Sequence, residues 1–141
     1  MGEERFKFMA AAYLVLIRDG KILMLRRFNT GYEDGSYSLV AGHVDAGESF
    51  REAIVREAKE EAGIEIQLKD VAVAHIMQRI SSGRISVFLT AEKWAGGIKN
   101  MKPEKCDDLS WFDMNNLPAN TIPYIKKAIE NFRNNIGYSE D

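Results

Sequence analysis

The segment from Gly42 to Ile64 constrains the fold of this chain more than any other stretch. Ser49 followed three residues later by Glu52 forms a capping box, in which the two side chains satisfy backbone N–H groups at the start of a helix. Gly63 stands where a left-handed C-terminal cap is required. Together these signals predict a helix over residues 50–62.

Three carboxylates share one face of this predicted helix. Glu57, Glu60 and Glu61 fall within an arc of roughly 100°, because residues three and four apart lie on neighbouring turns. The apolar arc of the helix borders this face, so Glu61 is expected at the edge of the core. Crowded, half-buried carboxylates repel one another and are costly to remove from water unless a positive charge neutralises them.

Two interpretations of this acidic face follow. A divalent cation would neutralise it, and oxygen ligands favour a hard ion such as Mg²⁺, with Mn²⁺ as a substitute. Mg²⁺ in proteins keeps waters and substrate phosphates in its coordination shell, so this interpretation implies a phosphorylated substrate. The alternative is a solvated amphipathic helix whose glutamates pair with Arg51, Arg56 and Lys59.

The residues around the helix favour the metal-binding interpretation. The positions that carry the pattern are Gly42, Glu48, Arg56, Glu57, Ala58, Glu60, Glu61, Gly63 and Ile64. Their spacing matches every fixed position of the Nudix box, and the chain resembles the Nudix hydrolase family. The resemblance implies an α/β fold, the Nudix α/β/α sandwich with a mixed β-sheet between helices, formed by a single domain over residues 1–141.

The resemblance also implies which groups bind the metal. The family's ligand positions correspond to the side chains of Glu57, Glu60 and Glu61 and to the backbone carbonyl of Gly42. Mg²⁺ is the expected ion, and Mn²⁺ its substitute.

Catalytic roles follow from the same resemblance. Arg56 is expected to hold Glu57 in place by a charged hydrogen bond, and Glu48 to assist the same site. The general base stays open between Glu57 and Glu104. Glu104 lies in a polar loop where many family members supply a further acidic residue, and a solvent-facing charge is the alternative for it.

Three other residues are candidates for binding substrate phosphate. Arg26 and Arg27 close a predicted strand just before a polar loop, and a guanidinium group can bind phosphate through two hydrogen bonds. His43 stands beside Gly42. For each of the three, a structural or solvent-exposed role is the alternative.

Strands are predicted from β-prone runs and turn residues. Asp19-Gly20 is a hairpin turn that is expected to pair residues 8–17 with residues 21–28. His75 lies in an apolar run and is expected in the core. Further strands are predicted at residues 37–40, 64–69, 71–80 and 84–94.

A second helix is predicted at residues 121–136 from an apolar stripe of helical period. Asn120 or Thr121 is expected to cap it, and Gly137 to end it. Residues 138–141 are expected to form a frayed tail.

Composition limits the partners and the compartment. Nineteen basic and 21 acidic residues give a net charge of −2, which offers no general attraction for a nucleic-acid polymer or an anionic membrane. The single Cys106, read as part of a polar loop, excludes an intrachain disulfide and argues against a zinc site. Residues 9–17 are too short an apolar run to span a membrane. These observations predict a cytoplasmic protein and leave a homodimer open. The resemblance to the Nudix family implies a small nucleotide substrate.

The activity implied by the resemblance is Mg²⁺-dependent hydrolysis of a nucleoside diphosphate linkage. The favoured substrate is a nucleoside triphosphate, cleaved to the monophosphate and pyrophosphate as in the MutT-like branch. Residues 78–82 lack the proline of many ADP-ribose hydrolases and the tyrosine of diadenosine polyphosphate hydrolases. The alternatives are an ADP-ribose or nucleotide-sugar pyrophosphatase and a non-catalytic nucleotide-sensing or protein-binding module.

Overall fold

Two β-sheets and two α-helices form the fold of residues 4–141, the part of the chain described by a computed structural model. The strands are β1 (Met9–Val15), β2 (Ile17–Arg18), β3 (Lys21–Arg27), β4 (Tyr37–Ser38), β5 (Ala41–His43), β6 (Val71–Arg79), β7 (Arg84–Ala91), β8 (Cys106–Asp113) and β9 (Tyr138–Glu140). The helices are α1 (Phe50–Ala62) and α2 (Pro123–Arg133), and a short 3₁₀ helix covers Leu68–Asp70.

The larger sheet is mixed and has the strand order β5-β1-β7-β6-β9. β1 runs parallel to β7 and β6 parallel to β9, whereas the β5–β1 and β7–β6 pairs are antiparallel. In the smaller sheet, β3 pairs antiparallel with β2, β4 and β8.

The two helices cover different apolar clusters. α1 buries Ile54 and Ala58 in a cluster that includes Leu89 of β7. α2 buries Ile125 in a second cluster that includes Phe88, the neighbouring residue of β7. Because successive side chains of a strand point to opposite faces, the mixed sheet lies between the two helices. The predicted α/β/α sandwich is confirmed.

The predicted bounds of α1 agree with the structure, because its signals are local. Both bonds of the capping box are present: Glu52 N–H donates to Ser49 Oγ (3.0 Å), and Ser49 N–H donates to Glu52 Oε1 (2.9 Å). Gly63 ends the helix with φ 71°, a conformation that is strained for residues with a side chain.

The first strand pairing differs from the prediction. Asp19 (φ 52°) and Gly20 (φ 73°) do form the hairpin turn, but the hairpin joins only β2 to β3. At Leu16 the chain passes from one sheet to the other, and β1 lies between β5 and β7. β1 is buried on both faces over most of its length, as a central strand requires.

The segment after α1 also differs from the prediction. Residues 64–69 do not form a strand with a neighbour; a single bridge joins Glu65 to Ala95, and the 3₁₀ helix follows. Ile64 and Ile66 are both buried, so the alternating pattern reflects packing under α1 rather than membership of a sheet.

The second helix is shorter than predicted and has no side-chain cap. It begins at Pro123, which is well suited to the first helical turn, and ends at Arg133 rather than at Gly137. The side chains of the two predicted capping residues bind elsewhere: Thr121 donates to Pro118 O (2.7 Å) and Asn120 to Gly35 O (2.6 Å).

Two further predictions are wrong, because the structure of both segments depends on contacts with residues far away in the sequence. The tail is not frayed: β9 pairs with β6, and the buried His75 contacts Ile136 O through Nδ1 (2.7 Å) and Ser139 Oγ through Nε2 (2.8 Å). Cys106 is buried as the first residue of β8 instead of lying in a polar loop. The expectation that His75 is a core residue is confirmed. Within residues 4–141, the helices are too short and polar to cross a bilayer.

Candidate active site

β5 brings Gly42 directly against α1, the helix that carries Glu57, Glu60 and Glu61. A Cβ atom added at Gly42 would lie 2.3 Å from both Cδ and Oε1 of Glu57, much closer than any ordinary contact. The absence of a side chain at Gly42 therefore lets the Glu57 carboxylate approach the backbone of β5.

Arg56 organises the acidic residues around it. Its Nε and Nη2 atoms donate to the two carboxylate oxygens of Glu48 (2.8 and 2.9 Å), and its Nη1 donates to Glu57 Oε1 (2.5 Å). Nη2 also donates to His43 O (3.1 Å), which ties the guanidinium group to β5. The predicted bond from Arg56 to Glu57 is present, and Glu48 acts on the same group by binding Arg56.

These bonds set the charge of Glu48. The hydrogen bonds from Arg56 lower the pKa of Glu48 to about 2, and the N–H of Asp45 (3.0 Å from Oε1) acts in the same direction. The two carboxylates raise the pKa of Arg56 in turn. The Arg56–Glu48 pair is therefore a charged, two-bond clamp.

Glu57 and Glu61 line one cavity of about 250 Å³, called here the carboxylate cavity. Burial raises the pKa of Glu61 to about 8, although Oε1 accepts a hydrogen bond from the N–H of Ala41 (3.1 Å). Burial also raises the pKa of Glu57, against the effect of Arg56. Two half-buried carboxyl groups one turn apart form a site that a cation would stabilise in its ionised form.

Glu60 lies differently from its neighbours. Its side chain is 47% exposed, against 12% for Glu57, and its carboxylate is 3.4 Å from Nη1 of Arg56. In the part of the chain from residue 4 onward, no three acidic, histidine or cysteine side chains lie close enough together to hold a metal ion as they stand. The helix face is shared as predicted, but only Glu57 and Glu61 line the carboxylate cavity.

The chemistry of these donors fits a hard divalent cation. All of them are oxygen ligands, and the glycine at position 42 leaves room for the Glu57 carboxylate beside the β5 backbone. Burial raises the pKa of Glu61, and a bound cation would offset this effect by stabilising the ionised carboxylate.

Two basic residues on the cavity wall, Lys102 and Lys105, were not predicted from the sequence. Lys102 is close enough to lower the pKa of both Glu57 and Glu61, and Lys105 also lines the cavity. They belong to an irregular loop, so no periodicity pointed to them. Glu104, the residue predicted from the same loop, is exposed in the turn before β8 and does not line the cavity.

The predicted phosphate-binding residues separate into two groups. Arg26 pairs with Asp107 (2.7 Å) and lines neither of the two cavities at this site. Arg27 lies on the walls of both, held by bonds to Tyr32 O (2.6 Å) and Thr30 Oγ1 (3.0 Å). His43 is exposed and lies on the wall of the second cavity.

The second cavity has a volume of about 480 Å³ and is called here the arginine cavity. It adjoins the carboxylate cavity at Arg27 and Ala41, which line both. Arg79 and Arg84 lie on its wall and were not predicted. A sequence signal did exist, because the two arginines lie at the adjoining ends of the strands predicted at residues 71–80 and 84–94.

Comparison with known proteins agrees with the fold. Residues 7–132 match the NUDIX domain family. A solved structure of a MutT NUDIX hydrolase from Burkholderia pseudomallei is similar to this one, with a TM-score of 0.79 and 25% sequence identity. The match covers 88% of this chain and 97% of the Burkholderia chain.

Curated relatives carry several enzyme names. The chain is 32% identical over 124 residues to the NAD-capped RNA hydrolase NudC of Stutzerimonas stutzeri, covering 84% of this chain and 41% of NudC. It is 34% identical over 106 residues to the ADP-ribose pyrophosphatase of Methanocaldococcus jannaschii, covering 74% and 61% respectively. A CTP pyrophosphohydrolase of Escherichia coli is 38% identical over 79 residues, covering 56% and 57%. The chain spans less than two thirds of these relatives. The match of the domain over nearly the whole chain, together with the site at Gly42 and Glu57, establishes that the chain belongs to the Nudix hydrolase family.

Proposed function

We propose that this chain hydrolyses a phosphoanhydride bond of a nucleoside diphosphate compound with the help of a divalent cation, Mg²⁺ in the first instance and Mn²⁺ as a substitute. The observation that carries the proposal is the pair of half-buried carboxyl groups, Glu57 and Glu61, on one cavity wall beside Gly42.

Glu57, Glu61 and the carbonyl of Gly42 would hold the cation, and Glu60 would complete the set from the exposed side. A bound divalent cation polarises phosphate oxygens and lowers the pKa of a bound water. The protein's own contribution is positioning and charge. Arg56 fixes the Glu57 carboxylate through one hydrogen bond and is itself fixed by Glu48.

The basic residues of the carboxylate cavity would bind the substrate phosphates. Arg27, Lys102 and Lys105 line the same cavity as Glu57 and Glu61, and their charges would offset the negative charge of the diphosphate. The general base remains a proposal between Glu57 and Glu104. The position of Glu57 on the cavity wall, and the exposure of Glu104 outside it, support Glu57.

Substitution of the carboxylates tests the site. Glu57→Gln and Glu61→Gln are expected to lower metal-dependent turnover by about 100-fold or more while the protein stays folded. Glu65→Gln is the matched control, since Glu65 follows the same helix but its side chain is 71% exposed. Turnover at the wild-type level in both site variants, with Mg²⁺ present, would reject the assignment.

The favoured substrate is a nucleoside triphosphate, cleaved to the monophosphate and pyrophosphate. Support comes from the similarity to the E. coli CTP pyrophosphohydrolase and to the MutT structure. The second candidate is ADP-ribose or a nucleotide sugar, favoured by the 34% identity to an ADP-ribose pyrophosphatase. The names of the NudC relatives add capped RNA ends to the substrates worth testing.

A substrate panel separates these candidates. We expect the highest kcat/KM for a triphosphate among common and oxidised nucleoside triphosphates, ADP-ribose, nucleotide sugars, diadenosine polyphosphates and NAD-capped RNA, each assayed with Mg²⁺ and with Mn²⁺. A preference for ADP-ribose would overturn the triphosphate assignment and leave the reaction type standing. Silence across the whole panel would favour the non-catalytic alternative, a nucleotide-sensing or protein-binding module.

A further inference from the structure

The arginine cavity concentrates positive charge in a chain of net charge −2. Arg27, Arg79 and Arg84 all lie on its wall, and no aspartate or glutamate of the described residues does. A concave site that holds three guanidinium groups without a carboxylate attracts anions.

Arg79 and Arg84 face each other directly across the antiparallel pair of β6 and β7. Opposite residues of such a pair have Cβ atoms about 4.5–5.5 Å apart, and like charges placed there destabilise the sheet. An anion between the two guanidinium groups would remove that repulsion.

Neither arginine has an acidic partner within residues 4–141. Arg84 makes no ion pair and no side-chain hydrogen bond in this part of the chain. The Arg79 guanidinium stacks on the ring of Tyr124 at 3.5 Å, and its buried Nε atom has no hydrogen-bond acceptor among the described groups. Buried donors are rarely left without an acceptor, and an anion oxygen bound here would supply one.

The three tyrosines on the wall of the arginine cavity already contact other side chains. The guanidinium group of Arg27 lies 5.3 Å from the ring centre of the exposed Tyr32. Arg79 covers the ring of Tyr124, and the ring of Tyr13 stacks on Phe88 with centroids 4.7 Å apart. The hydroxyl groups of Tyr13 and Tyr124 bind each other (3.0 Å). Each ring is thus paired with an arginine or with another aromatic side chain, and the arginines supply cationic donors; guanidinium groups bind phosphate oxygens in pairs.

We infer that Arg79 and Arg84 form an anion subsite that receives a phosphate group of the substrate beyond the two that flank the cleaved bond. The assignment of this phosphate to a substrate rests on the proposed function of the carboxylate cavity. The two cavities adjoin at Arg27, which lines both. Two sources supply the same chemistry: the terminal phosphate of a nucleoside triphosphate, and a phosphomonoester on the sugar of an ADP-ribose-type compound.

Binding of inorganic pyrophosphate to the full chain in EDTA tests the subsite without metal or turnover. Calorimetry is expected to show about 10- to 100-fold weaker binding for Arg84→Gln than for the wild type, the loss that follows from removing charged hydrogen bonds. Arg5→Gln is the matched control, because Arg5 is exposed and lies outside the cavity. Equal affinity of the wild type and Arg84→Gln, or an equal loss in the control, would overturn the inference.

The melting temperature of Arg84→Gln separates binding from a structural role. Without anions the variant is expected to melt no lower than the wild type, because the like-charge pair is gone. A clear drop in melting temperature with unchanged pyrophosphate affinity would show that Arg84 supports the fold instead, and would overturn the inference.

Two matched substrate pairs identify the source of the phosphate: CTP with CDP, and ADP-ribose 2′-phosphate with ADP-ribose. We expect the wild type to prefer the more phosphorylated member of one pair, and Arg84→Gln to reduce that kcat/KM ratio about tenfold or more. Hydrolysis without a preference in either pair would refute the subsite and leave the hydrolase proposal standing. No hydrolysis of any compound, with Arg84-dependent pyrophosphate binding intact, would refute the hydrolase proposal alone.

Discussion

Replacing Gly42 with alanine tests how closely the Glu57 carboxylate is positioned. The added Cβ atom would lie 2.3 Å from Cδ and Oε1 of Glu57 and 2.8 Å from its Cγ, whereas ordinary contacts begin at 3.4 Å. Glu57 must therefore move by about 1 Å, a displacement that can reduce a rate about 100-fold. That factor corresponds to about 2.7 kcal/mol of transition-state stabilisation.

The substitution should spare the fold. Gly42 is not among the residues with positive φ, so alanine does not strain the backbone, and the atoms it meets belong to the end of a side chain. We expect kcat/KM with Mg²⁺ to fall about 100-fold, while the melting temperature changes by less than about 4 °C. Gly97→Ala is the matched control, because a Cβ atom there meets nothing within 4 Å.

A double-substitution cycle shows whether the effect acts through Glu57. In a Glu57→Ala background the clash is gone, so Gly42→Ala should cause no further loss. Wild-type kcat/KM in Gly42→Ala would refute the argument that Glu57 must lie against β5. Full additivity of the two substitutions would refute the argument that Gly42 acts through Glu57.

Three further outcomes are expected. Arg56→Gln should destabilise the protein at pH 7, and the difference in unfolding free energy from the wild type, measured with urea, should shrink as the pH falls from about 4.5 towards 2. The pKa of Glu48 is lowered to about 2 in the folded state, so its stabilising contribution is present above the unfolded pKa and disappears on acidification. A pH-independent difference would contradict this account. Metal-free protein should lose stability as the pH rises from about 4.5 to about 8, because burial raises the pKa of Glu61 to about 8 and the folded state keeps a proton that the unfolded state has lost. Glu61→Gln should flatten this pH profile of stability, and an unchanged profile in the variant would exclude Glu61 as its source. His75→Ala should lower the free energy of unfolding by about 2 kcal/mol, since it leaves Ile136 O and Ser139 Oγ without their partner. A midpoint of urea unfolding equal to that of the wild type would show that β9 does not depend on this contact.

The part of the fold that could be predicted is the part whose causes are local. The bounds of α1 follow from Ser49, Glu52 and Gly63, all within or beside the helix. The turn at Asp19-Gly20 was predictable for the same reason. The transfer of the chain between sheets at Leu16 was not, because it depends on partners far along the sequence.

The residues of the site also divide into those with local causes, which could be predicted, and those that depend on distant pairing, which could not. Gly42, Arg56 and Glu57 belong to one continuous motif, whose spacing is visible in the sequence. Arg79 and Arg84 reach their cavity only through the pairing of β6 with β7, and the turn between them carries no chemical pattern of its own. Strand β9 was missed because three residues are too few to show a period of two.

The central position of β1 determines when the site can assemble during synthesis. β1 pairs with β5 through Ala11–Tyr13 and with β7 over its whole length, so β5 and α1 leave the ribosome before the second neighbour of β1 exists. Pairing between segments so far apart is slow compared with the closure of a local helix. α1 is therefore synthesised before β7 and before residues 102–109, which complete the wall of the carboxylate cavity, and a nascent chain that stops before Ala91 should bind no cation tightly.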